Sequence, residues 1–126
     1  MAEYMFLFHG GILNAEDVSP EEMQQHMQKW QSWVAELSES GVYEHGQPLQ
    51  PGGKTVSAGG VVSDGPFAEA KEMVAGYFAL DVATMNEAVE IAKDCPIYEF
   101  DGSVEVRQIF QEHGVTESEP QEAAAS

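Results

Sequence analysis

Cationic side chains are scarce in this sequence. Five Lys+Arg face 22 Asp+Glu, which gives a formal net charge of −17 and a pI near 4.2, and Arg107 is the sole arginine. Nucleic acids are gripped by lysines and arginines that displace phosphate counterions, so this composition argues against a nucleic-acid partner. The same shortage argues against binding to an anionic membrane surface. What the acidity supplies is mutual repulsion, hence solubility, and a surface that a basic protein partner could meet.

Cysteine is scarcer still. Cys95 stands alone, so no intrachain disulfide can form, which fits a reducing compartment. The opening residues MAEYMFLFHG carry no basic n-region, and their apolar run is far too short for a signal peptide or a membrane span. A cytoplasmic location is expected. No HxH, HExxH or CxxC spacing ties His9, His26 or His45 to a metal, and neither a metal nor a cofactor is expected. Gly10-Gly11 and Gly52-Gly53 are not phosphate loops, since GGKT at 52–55 lacks the upstream glycine of that motif.

What is present suits one domain with a modest core: 126 residues, 43% of them hydrophobic and 21% charged. Tyr4–Phe8 (YMFLF) is apolar on both alternating faces, so it reads as a strand covered on both sides. In SPEEMQQHMQKWQSWVAELSESG, Ser19 is an N-cap, Pro20 the first helical residue and Glu22 the closing member of a capping box. Met23, Met27, Trp30, Val34 and Leu37 then recur at three- and four-residue steps, and Gly41 stops the helix. Two short β-like pieces follow, VYEHG and KTVSAGGVV. MVAGYFALDV alternates as a strand, with Val74, Gly76, Phe78, Leu80 and Val82 on one face. Thr84 and Glu87 cap a short helix that turns Ala88, Ile91 and Ala92 inward and ends at Cys95-Pro96. SVEVRQIF, after an Asp-Gly turn at 101–102, is the last strand. The remaining tail, 111–126, is acidic and reads as disordered, which leaves 1–110 as the folded domain.

This order predicts an α+β fold with an antiparallel sheet, the split βαβ arrangement of ferredoxin-like folds. Two helices cover only one face of such a sheet. Since YMFLF is apolar on both faces, the other face needs cover, and a second copy of the chain is the expected cover, in a homodimer.

Several pieces, taken in order, carry a family resemblance: YMFLF, SPEE, GQPLQP, TV at 55–56, SDGPFAEAKE, GYFALDV, EA at 87–88, CPIYEF and GSVEVR. Together they resemble the YCII-related family, in the branch named for its DGPF motif. The resemblance covers residues 4–107. It implies ferredoxin-like α/β dimers with packed sheets, in the manner of a dimeric α/β barrel. It further implies an acid–base pair in a cleft, made of a histidine on the first helix and the DGPF aspartate. Some family members resemble small isomerases and dehalogenase-like enzymes, and some are encoded beside alternative sigma factors. The aspartate corresponds to Asp64. Trp30 holds the place of the helix histidine, and His26 lies one turn earlier.

The residues themselves leave two readings of Asp64 open. Beside Gly65-Pro66 it either accepts backbone N–H groups and clamps a turn, or sits in a dry pocket where its pKa rises into the range of general acid–base work. On the helix, ~100° per residue puts Trp30 at the centre of the apolar face, with His26 and Trp33 on its flank. Those three and Phe67 could wall a slot for a flat organic molecule. His9, at the tip of the first strand, and Arg107, able to clamp a carboxylate or pair with Glu105, complete the candidate ligand-binding set. Cys95 follows a helix rather than opening one and reads as packing.

Two functions compete on this evidence. One is a small cofactor-independent acid–base enzyme (isomerase, lyase or hydrolase type) acting on a small organic molecule, with Asp64 and His26 as its catalytic residues. The other is a non-catalytic binding or regulatory module whose acidic surface meets a basic protein partner, and which the resemblance links to sigma-factor control; beside both stands a structural dimer with no working site.

Overall fold

The computed structural model describes residues 2–12, 17–65 and 73–110. The expectation for the 111–126 tail therefore lies outside the described residues, as does the position of Phe67. The elements run β1 (Ala2–His9), α1 (Pro20–Glu39), β2 (Tyr43–Pro48), β3 (Lys54–Ser57), β4 (Val61–Asp64), β5 (Val74–Val82), α2 (Met85–Ala92) and β6 (Ser103–Gln108). A short 3₁₀ segment, Pro96–Phe100, links α2 to β6.

Four strands make one antiparallel sheet in the order β2-β5-β1-β6. With both helices connecting these strands, this is the α+β, ferredoxin-like topology read from the sequence. β1 and β5 lie at its centre, in register Phe6 opposite Phe78 and Tyr4 opposite Leu80. Tyr4, Phe6 and Phe8 of β1, with Phe78, Leu80 and Val82 of β5, pack under the helices as one core together with Trp33, Leu37, Ala88, Ala92 and Ile97. The alternate residues Met5, Leu7 and Tyr77 lie on the opposite face and are half-buried. No helix among the described residues is long and apolar enough to cross a membrane.

Helix α1 begins as its sequence requires. Ser19 accepts the Glu22 N–H at 3.1 Å while Glu22 Oε1 accepts the Ser19 N–H at 3.0 Å, a reciprocal capping box. In α2, Thr84 accepts the Glu87 N–H at 3.1 Å, but the Glu87 carboxylate reaches back past the cap to the Ala83 N–H at 2.8 Å. The backbone entering α2 is thus held one residue further out than in a closed box.

β3 and β4 do not join the main sheet. They form a two-stranded ribbon of their own, paired Lys54–Asp64, Thr55–Ser63, Val56–Val62 and Ser57–Val61. All eight of its residues are exposed. Gly59 and Gly60 both turn at φ 81°, a left-handed conformation that glycine adopts without strain.

Candidate functional site

A cleft of about 540 Å³ opens between α1 and the β2–β5 edge of the sheet, beside the loop that follows β1. Its walls are almost wholly apolar, with Phe8, Trp30, Val34, Tyr43, Phe78 and Ile97 prominent. Where β2 meets β5 the lining residues are Gly46 and Gly76. A Cβ on Gly46 would run into the Phe78 ring and the Tyr77 carbonyl, so glycine keeps that side of the cleft open.

The apolar stripe of α1 serves two surfaces at once, and this corrects the expected helix orientation. His26, Trp33 and Leu37 are the buried residues of the helix, while Met23 and Met27 are 39% and 43% exposed. Trp30 is half-buried on the cleft wall. The helix is therefore rotated from the placement that centres Trp30 in the core. Periodicity shows which residues avoid water, but a cleft wall and a core satisfy it equally. Trp33 is the core tryptophan: it stacks on Phe6 (6.2 Å between centroids, 9° between planes) and on Phe78 (5.5 Å, 28°).

His26 lines the cleft although the residue is only 2% exposed, because neighbours close on it from several sides. The Phe100 ring packs perpendicular to the imidazole, 4.7 Å between centroids. Glu99 Oε1 lies 2.9 Å from Nδ1, and the Trp30 indole Nε1–H donates to Nε2 at 2.9 Å. An indole N–H can only donate, so Nε2 must present its lone pair. The imidazole is then neutral with its proton on Nδ1, donated to Glu99. Lys29, three residues along the helix, pairs with the other oxygen of Glu99. Those two hydrogen bonds, Lys29 first and His26 second, hold the Glu99 carboxyl below its ordinary range despite some opposing desolvation. The result is an ionised carboxylate fixing one tautomer of a neutral histidine. Such a ring can accept a proton at Nε2, and the carboxylate behind it stabilises the imidazolium that forms.

Glu99 is the residue that sequence reasoning missed. It lies 73 residues from His26, and no local pattern in PIYEF marks it. Only the fold, by setting the 3₁₀ segment against α1, brings the two together.

The other sequence candidates fall elsewhere. Asp64 is at the end of the ribbon, its side chain 77% exposed and paired across the strands with Lys54. It is not among the described residues lining the cleft. Among the described residues its partner is Lys54, in a cross-strand ion pair, and the side chain faces solvent rather than a dry pocket. The separate pairing of β3 with β4 carries Asp64 away from the main sheet. His9 and Arg107 both meet Glu105, at 2.8 Å and 3.3 Å, on the sheet face opposite the helices. Cys95 does open a short helical segment, the 3₁₀ turn, and accepts the Ile97 N–H at 3.5 Å. Burial outweighs that bond and pushes its thiol up to about 12.

A profile of the YCII-related domain matches residues 5–113. The chain belongs to the YCII-related family. An uncharacterized protein of Rhizobium meliloti (strain 1021) is 47% identical over 34 residues, a stretch that spans 27% of this chain and 27% of that protein. Two solved structures are similar in outline. One is the 5-chloro-2-hydroxyhydroquinone dehydrochlorinase of Burkholderia phenoliruptrix AC1100, seen in complex with 2,5-dihydroxybenzoquinone; it is 16% identical with TM-score 0.44, over 88% of this chain and 97% of that one. The other is the Arabidopsis thaliana protein At3g17210, 14% identical with TM-score 0.35, over 88% and 95% of the two chains.

Proposed function

We propose that this YCII-related protein binds a small, largely apolar organic molecule in the α1 cleft and moves a proton on it through His26 Nε2. The observation that carries the reading is the fixed tautomer: a neutral imidazole, backed by the Glu99 carboxylate, in the wall of an apolar cleft. In that setting His26 is the general base and Glu99 its positioning residue. Trp30, Phe78 and Val34 hold the body of the ligand. His26 takes the proton-transfer part that the sequence reading gave to Asp64, with His26 only assisting or orienting. The reaction class stays within isomerisation, elimination or hydrolysis initiated by proton removal.

A homodimer belongs to the same proposal. The face carrying Met5, Leu7 and Tyr77 lies opposite both helices, and it supports a second copy as its cover.

The test is a panel of small carbonyl and hydroxyl compounds incubated in D₂O with the wild type and with His26→Asn, followed by proton NMR. At least one compound should exchange deuterium or turn over with the wild type, about 10²–10⁴-fold faster than with the variant. Identical spectra with both proteins across the panel would contradict the reading.

A further inference from the structure

Resting on the reading of His26 as the proton acceptor, we infer that Trp30 is a latch on that acceptor and that the ligand opens it with a hydrogen-bond donor, a hydroxyl being the donor whose proton His26 can then take. The hydrogen-bond inventory of the site leads there. Nε2 is the one ring nitrogen free of the Glu99 carboxylate, and the structure already fills it with the indole N–H of Trp30, one helical turn away. No proton can be taken at Nε2 while that bond stands, because a neutral imidazole offers a single lone pair there.

Trp30 is placed to let go. It is only half-buried, it lines the cleft, and its ring meets Phe8, Trp33 and Phe78 edge-on rather than in a locked stack. His26 is not so placed, being 2% exposed and held by Glu99 and Phe100. On ligand entry it is the indole that moves.

What replaces it follows from the cost of an unpaired acceptor. Stripping the indole from a buried Nε2 without substitution leaves a desolvated lone pair, which is penalised. A molecule with no donor would therefore lie in the cleft beneath a closed latch. A ligand hydroxyl exchanges one N–H donor for one O–H donor at little net cost, and the hydroxyl that makes the exchange is the one whose proton His26 then faces. The latch thus selects for hydroxylated compounds over donor-free compounds of the same shape.

The test uses phenol and its methyl ether, anisole, as probes, followed on the indole ¹H–¹⁵N signals and on the methyl signals of Val34. Phenol should shift the Trp30 indole signal and leave that of Trp33 in place, whereas anisole should perturb Val34 without moving Trp30. Trp30→Phe removes the N–H and keeps an aromatic wall, so phenol should bind about tenfold more tightly to it. Equal displacement of Trp30 by both probes would overturn the donor requirement. Phenol in the cleft with an unmoved Trp30 signal, or with unchanged affinity in Trp30→Phe, would overturn the latch while leaving His26 as a base. Failure of both probes to perturb Val34 would remove the latch and the ligand cleft together.

Discussion

Glu99 separates a catalytic from a structural role for the carboxylate–histidine pair. Its lowered pKa means that it stabilises the fold above the ordinary carboxyl value of 4.5 and that this contribution fades as pH falls through the lower folded value. Its side chain is 37% exposed, so solvent screens the ion pair and the stability at stake is small. Glu99→Gln should therefore move the melting temperature by only a few degrees at neutral pH, while lowering turnover of any substrate about 10–100-fold, as loss of an orienting carboxylate does. A large loss of stability with unchanged turnover would make the pair structural. Cys95 allows a cleaner statement. With its thiol pushed up to about 12 by burial, the folded protein should react with iodoacetamide roughly 10³-fold more slowly than the unfolded chain, whose thiol titrates near ~8.5. Because the folded value is the higher one, the associated stability is present below the unfolded pKa and lost as pH climbs toward the folded value. Fast labelling of the native protein at neutral pH would contradict that burial.

Helix α1 and the β2–β5 edge carry the site, and they differ in how far the sequence revealed them. The span of α1 followed from the Ser19–Glu22 box and the stop at Gly41, and the faces of β5 followed from simple alternation. The rotation of α1 did not follow, because Met27, Trp30 and Val34 are apolar for the sake of a cleft, and a hydrophobic stripe does not say which of two surfaces it serves. Glu99 was illegible for a different reason: its meaning depends on a contact across 73 residues. The β character of KTVSAGGVV was legible, but not that among the described residues β3 and β4 pair with each other rather than with the main sheet. At the cleft edge, Gly46→Ala would drive a methyl into the Phe78 ring. Such overpacking should cost about 1–3 kcal/mol and narrow the cleft, visible as a lower melting temperature and weaker phenol binding. A variant as stable and as competent as the wild type would mean that β2 shifts freely there.

Across the whole molecule two features act together: a net charge of −17 and a sheet face that no helix among the described residues covers. On the proposed homodimer, Met5 and Leu7 are the centre of the buried face, with Glu105 and Arg107 opposite them on β6. Light scattering should give twice the 13.7 kDa protomer mass, and Leu7→Glu should return it to a single protomer without loss of helix signal. A wild type that stays at one protomer mass at high concentration would remove the second copy from the account. Like charges this numerous also repel within each copy, so added salt should raise the melting temperature by screening them.

The proton-transfer reading stands on one state of His26: neutral, protonated on Nδ1, with the Nε2 lone pair accepting the Trp30 N–H until a ligand displaces it. Long-range ¹H–¹⁵N correlation of the His26 ring at neutral pH measures it most directly. Nδ1 should bear the proton and Nε2 should be of acceptor type, with Glu99→Gln weakening that preference. A ring protonated on Nε2, or on both nitrogens, would contradict the hydrogen bond from Trp30 and with it the assignment of His26 as the base.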